Sequence, residues 1–332
     1  MGKMIVWGLI ASAFFSLSFV LYQLMSVQGG HWFWSASLRC LFMWLLLTVI
    51  IVIKNRGQLT QLIQLWHLFW QNWRFWMFAG SIALGTYGLL AFAADYAEGW
   101  VIAATYLFTV VASLIVLKFF GQHFSKKTIY YSVVVFVGVV LANVGEGLRH
   151  QTVSSNYTLQ SLLVGAMVAF IASFFFPVGN QLVWQASQPK QTNLTTELNI
   201  RKTLLQKLPY IHSPLLDNAL HKVWLMAMGS LPMWAALTLI LHPPAPSPSQ
   251  ITLSFLVALT AGVLGTSVFL FARAQATRPQ QLAAIDATQG SEIIFALLGG
   301  MLLLGTPLPS LLSFVGIALV IIGLTLFGKA ND

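Results

Sequence analysis

The chain of 332 residues is 58% hydrophobic and only 8% charged, with a mean hydropathy of +0.79. A soluble domain carries about a quarter charged residues, so this composition excludes one and indicates a polytopic membrane protein. The net charge of +9, from 17 basic and 8 acidic residues, then reads as the Lys/Arg excess of cytoplasmic loops, not as a nucleic-acid footprint.

Apolar runs of about 20 residues mark membrane spans. They fall near 4–27, 31–53, 75–94, 100–120, 128–146, 159–185, 219–241, 251–272, 281–304 and 308–327. The first run is longer than a signal-peptide core, which has about 7–15 residues, and is kept as a span. Its outer half carries Ser16, Ser18, Tyr22 and Gln23, a polar side in an apolar helix. The second span holds Arg39, about 12 Å from the outer boundary at ~1.5 Å per residue. A guanidinium keeps its charge, so it needs a carboxylate, carbonyls or an anionic ligand. A fixed ion pair with Glu292, Asp286 or Asp95 and a contact to substrate are both open. Cys40 beside it is the single cysteine, which rules out an intramolecular disulfide.

Asp95 and Glu98 follow the third span at an outer mouth, as a solvated loop or a cation-attracting rim. In the fourth span Tyr106 and Thr109 form an aromatic and polar face, suited to an organic cation or to packing. Gly138 and Gly145 in the fifth span, and Gly316 and Gly323 in the tenth, are each seven apart. Each pair shares a helix face, for close packing of these two spans or for a dimer contact; monomer and homodimer both remain open. The sixth span ends in FFFPVGNQLVW, where Pro177 and Gly179 flank Asn180 and Gln181. Such a sequence permits local unwinding beside amide side chains, as at transporter sites, or simply the end of the helix.

Residues 186–222 form the one long polar insertion, and Thr195–Leu208 within it is either a short amphipathic helix on lipid or a tether. The outer loop His242–Gln250 reads as a Pro-rich spacer. The ninth span, QLAAIDATQGSEIIFALLGGMLLL from Gln281 to Leu304, contains Asp286, Gln289 and Glu292. On a helix this i, i+3, i+6 spacing confines them to an arc of roughly 120°. Ionisable groups at membrane depth are costly and mark cavities, partners or proton paths. Glu292 lies about 16 Å in, near the middle of a hydrocarbon core ~30 Å thick. At that depth it is the candidate coupling or substrate-binding carboxylate. Asp286 is shallower, at about 8 Å, with Arg273 or Arg278 as possible partners. Gln289 is a neighbour in the same cavity.

With Lys3 placed inside, fifteen of the seventeen basic residues lie on one side; only Arg149 and Arg39 do not. This predicts both termini in the cytoplasm. Leu84-Gly85-Thr86 recurs as Leu264-Gly265-Thr266, Ala103-Ala104 as Ala283-Ala284, and Phe136-Val137-Gly138 as Phe314-Val315-Gly316. The offsets are 180, 180 and 178 residues, in the same order along the chain. Two halves of five spans, 1–150 and 151–332, are thus expected. An odd span number makes them inverted repeats, with the site near the midplane between them.

The whole pattern resembles the drug/metabolite transporter superfamily in its ten-span, EamA-like form. Trp7-Gly8 matches the entry of its first helix, and Arg39 its second-span arginine. SEIIFALLGGMLLLGT matches its last-hairpin segment, with Glu292 and Gly305 in place but Ile293 for Pro and Thr306 for Glu. PVGNQLVW and the central insertion look more like its multidrug-resistance-efflux branch. No P-loop, HExxH or Cys/His cluster is present, so neither a cofactor nor a metal is expected.

The expected fold is an all-α membrane protein of ten helices in two inverted repeats. The expected function is secondary transport, by proton-coupled export, of a small organic solute, drug or metabolite across the plasma (inner) membrane. The alternative is an uncoupled metabolite or amino-acid facilitator or exchanger; an intramembrane enzyme and a non-transporting scaffold or sensor rank below both. The candidate site residues are Glu292, Asp286, Gln289, Arg39, Asn180, Gln181, Tyr22, Gln23, Tyr106 and Thr109.

Overall fold

The computed structural model describes residues 2–119, 126–152, 158–187, 208–275 and 285–330. Among them the chain is helical throughout, with no strand. In a bilayer every backbone polar group must be satisfied within the chain, and a helix does this within each span. Among the described residues, nine helical segments are long and apolar enough to cross a membrane, and a tenth apolar helix, Leu311–Leu326, is shorter.

The first segments are α1 (Gly2–Val27), α2 (Trp32–Lys54), α3 (Thr60–Gln71) and α4 (Trp73–Ala93). The fourth span is split into α5 (Gly99–Tyr106) and α6 (Thr109–Phe119). Then come α7 (Lys126–Thr152), α8 (Leu159–Ser187) and α9 (Ala219–Leu241). The eighth span is α10 (Pro248–Val257), a π segment (Ala258–Gly265) and α11 (Thr266–Ala274). The ninth passes through a 3-10 turn (Thr288–Ser291) into α12 (Glu292–Leu304), and α13 (Leu311–Ala330) ends the chain. Boundaries match the hydropathy runs within a few residues, because the same apolar stretch sets both.

One helix has no counterpart among those runs. α3 lies on the face where the Lys/Arg-bearing helix ends gather, and buries Leu65, Leu68 and Phe69. It leaves Ile63, Trp66 and Trp70 exposed. Too short to span, α3 is apolar on two faces, which the search for 20-residue runs passes over.

Close contacts are made where small residues face each other. α7 and α13 pack along much of their length, and a Cβ on Gly138 would come within 2.8 Å of the Gly316 carbonyl oxygen. Gly145 faces Ser313 and Gly323 faces Val135, so all four glycines predicted to pack the fifth and tenth spans together lie in this interface. α8 packs against α4, with Gly179 on Ala83 and Thr86 Oγ1 donating to the Ala172 carbonyl at 2.8 Å. α8 is continuous through Pro177 to Ser187, so neither the local unwinding nor the helix end that the sequence allows at this stretch occurs there. The Asn180 amide donates back to the Phe176 carbonyl at 2.8 Å, and neighbouring helices hold the segment in place. The amphipathic stretch expected at Thr195–Leu208 falls, but for Leu208, outside the described residues. Beyond it, the chain returns to α8 through the Ile211 N–H, which donates to the Ala186 carbonyl at 2.8 Å.

Candidate functional site

Two spans are interrupted. In the fourth, α5 stops at Tyr106 and α6 restarts at Thr109; in the ninth, the 3-10 turn at Thr288–Ser291 precedes α12, which begins at Glu292. At the 180-residue offset expected from the sequence, Leu107 and Phe108 would stand at Ala287 and Thr288. α5 and α12 are in contact. α1 packs against the second break: a Cβ on Gly8 would come 2.5 Å from Thr288 Oγ1, and Ser12 Oγ donates to the Thr288 carbonyl at 2.9 Å. The absence of a side chain at Gly8 therefore allows the close approach, and the Ser12 hydroxyl donates to a carbonyl at the break.

A cavity of about 860 Å³ lies between these spans and α8, α9 and α11. Its wall includes Lys222, Arg273 and Trp184 toward the end where basic residues collect, and Thr109 and Gln289 deeper in. Asn180, Gln181 and Asp286 also line it. Five of the ten candidate residues thus share one cavity of ligand size. Asp286 does not point at Arg39; it accepts from Arg273 Nη1 at 2.7 Å, both side chains 41% exposed. Arg278 is outside the described residues.

One helical turn beyond Gln289 and Thr109 come Glu292 and Tyr106, behind the inner end of the cavity. The single arc expected for Asp286, Gln289 and Glu292 is therefore broken: the 3-10 turn leaves the first two on the cavity and the third deeper. Glu292 is 6% exposed, and among the described residues it has neither a hydrogen bond nor an ion pair. Tyr106 is within electrostatic reach of Glu292, Tyr87 and Arg39, and its ring packs on Phe19 at 6.0 Å between centroids.

Arg39 is 4% exposed. The ion pair foreseen with Glu292, Asp286 or Asp95 is not formed. Instead Arg39 Nη1 donates to the Tyr22 hydroxyl at 3.0 Å, and its guanidinium lies 3.7 Å from the centre of the Tyr87 ring. A desolvated cation–π contact of this kind contributes about 2 kcal/mol. Tyr87 was missed in the sequence; its place one residue after the recurring Leu84-Gly85-Thr86 was the only signal. Gln23 is not part of this group. Its Oε1 accepts from the Gly99 N–H at 2.8 Å and so caps the start of α5.

At the opposite end from the cavity, Glu98 is buried, which corrects the solvated-loop and open-rim readings. Trp100 Nε1 donates to its carboxylate at 2.6 Å, and Arg149 lies 3.4 Å away while also pairing with Glu146. Burial, and then the neighbouring Glu146, push the Glu98 carboxyl up to about 7. Asp95 is also raised by burial, against the opposing pull of Ser26 and His31.

Comparison with known proteins adds the family. A family model described as "EmrE: Putative multidrug resistance efflux transporter" matches residues 2–332. A Bacillus subtilis (strain 168) protein, "Uncharacterized protein YjlA", is 32% identical over 349 residues, covering 99% of this chain and 95% of that protein. A Shouchella clausii protein, "Uncharacterized 42.1 kDa protein in intracellular alkaline protease 3'region", is 28% identical over 306 residues, 87% of this chain and 70% of its own length. A solved crystal structure, 14% identical, superposes with a TM-score of 0.55 over 98% of this chain and 96% of its own, a likeness of fold alone.

Proposed function

This chain belongs to the EmrE family of multidrug resistance efflux transporters, and we propose that it exports a small organic solute in exchange for protons. The observation that carries the reading is Glu292: a buried carboxylate without a partner among the described residues, at a break in its span and behind a cavity. Discontinuous helices at mid-depth are where secondary transporters hold substrates and coupling ions. Glu292 takes either a proton or a positively charged group, so that loading one expels the other.

The halves 1–150 and 151–332 act as inverted repeats that rock about this site, giving alternating access. The matching breaks in the fourth and ninth spans and the packing of the fifth span on the tenth support this arrangement. Both termini and the cavity mouth face the cytoplasm, and the protein resides in the inner membrane, supported by the basic residues collected at that end. Gln289, Thr109, Asn180, Gln181 and Asp286 line the entry path; Tyr106, Tyr22 and Arg39 shape the deeper part.

The test is efflux of a solute panel from proteoliposomes under an imposed pH gradient. Glu292→Gln should abolish the pH-driven component while the protein still elutes as a folded species. Flux and pH dependence unchanged by Glu292→Gln would sink the reading. Wild-type flux indifferent to the gradient would make the protein a facilitator instead.

A further inference from the structure

Arg39 and Glu292 are buried opposite charges on either side of Tyr106's electrostatic reach, and among the described residues neither has a counter-ion. Arg39 meets no carboxylate among the described residues, and its Nε has no acceptor. Among the described residues Glu292 makes no hydrogen bond and no ion pair, while Tyr106 is in electrostatic reach of both. Removing an ion from water without a counter-charge is costly, and a nearby opposite charge recovers that cost only when geometry lets the two meet. Here Tyr87 covers one face of the guanidinium and Tyr22 takes one N–H. The Nε edge is left for a planar anion, which a guanidinium recognises through paired N–H donors.

We propose that the transported solute is amphoteric: its carboxylate, or an equivalent planar anion, docks on Arg39 and its protonated amine on Glu292. The proposal rests on the transporter reading above and adds the chemical class. A purely cationic solute would leave Arg39 without an anion and place a second positive charge in the same weakly screened core. A purely anionic solute would leave Glu292 without a cation. The amphoteric solute completes both, and its amine and a proton compete for one carboxylate. One zwitterion out for one proton in moves a net charge, whereas a cation exchanged for a proton moves none.

The purified full chain is screened by thermal shift against the common amino acids, their decarboxylated amines and their deaminated acids, and hits are titrated. At least one amino acid should bind on the order of ten-fold or more tighter than its matched amine and acid, the scale of one charge-assisted contact. Arg39→Gln should erase the advantage over the amine, and Glu292→Gln the advantage over the acid. Arg39→Lys keeps charge and bulk but not the paired donors, and should fold and bind with intermediate strength. Amines binding as tightly as their amino acids, wild-type binding by both Arg39 variants, or no amino-acid hit would each overturn the proposal. pH-driven flux of a cationic dye without an amino-acid hit overturns this inference and leaves the transporter reading standing. Amino-acid binding without flux under any gradient supports the ligand class and removes the transporter reading.

Discussion

Three charged groups of this chain look alike in the sequence and behave differently in the fold. Asp286 pairs with Arg273, but both are 41% exposed, and an ion pair screened to that degree contributes less than about 1 kcal/mol. Asp286→Asn should leave the thermal unfolding midpoint nearly unchanged, so any loss of solute flux in that variant reports on the cavity. Glu98 is the opposite case. Its carboxyl is raised from the ordinary value to about 7 by burial first and Glu146 second, with Trp100 and Arg149 opposing. A raised folded-state value favours the protonated form, so its contribution to stability is full below the ordinary glutamate range and lost as pH rises through about 7. The wild type should therefore lose stability on the order of a few kcal/mol between pH 5 and pH 8 through this group. Glu98→Gln, measured by thermal unfolding across that range, should flatten the curve. Glu292 was legible as a candidate because a carboxylate in a long apolar run has few bland explanations. Gln23 was not legible as a cap, since its partner, the Gly99 N–H, is 76 residues away.

At the scale of elements, length and hydropathy found the spans, while their interruptions stayed hidden. Around Leu107–Phe108 the segment is as apolar as its flanks, and in Thr288–Ser291 the polar residues Thr288, Gln289 and Ser291 read as candidate site residues rather than as a helix stop. The break at Thr288 is supported by Gly8 and Ser12 of α1, contacts that bridge most of the chain. α3 was missed for a different reason: its apolar residues serve two faces, the core and the outside. Its exposed Trp66 and Trp70, with Lys54, Arg56 and Arg74 nearby and no acidic residue before Asp95, suit a membrane surface. Fluorescence from these tryptophans should be quenched by lipids labelled near the headgroup more than by lipids labelled at the chain end. The glycine seam between α7 and α13 is the most sensitive packing feature. Gly138→Val would force the Gly316 backbone away, and overpacking of this sort costs typically about 1–3 kcal/mol. Gly2→Val, where no atom lies within 4 Å of the added carbon, is the matched control and should be neutral. The unfolding midpoint in detergent decides between them.

For the whole molecule, the cavity gives the arrangement a direction. It collects Lys222, Arg273 and Asp286 near one end of the helices and stops before Glu292 and Arg39. In a Cys40→Ala background, Ser113→Cys on the cavity wall should react with a membrane-impermeant maleimide from the cytoplasmic side, and ligands that seat on Glu292 should slow the labelling. Equal labelling from both sides would contradict an inward-facing cavity. The sequence by itself determined that this is a helical multi-pass membrane protein, approximately where its spans lie, and which carboxylates merit notice. Hydropathy and charge are local quantities that the bilayer reads directly, so they survive without knowledge of contacts. Only the tertiary structure decided that Arg39 stacks on Tyr87 rather than pairing with an acid, that Asp286 belongs to Arg273, and that Glu292 stands alone. Those outcomes depend on which distant helices touch and where each one breaks, and contacts between residues so far apart in the chain leave no periodicity to read.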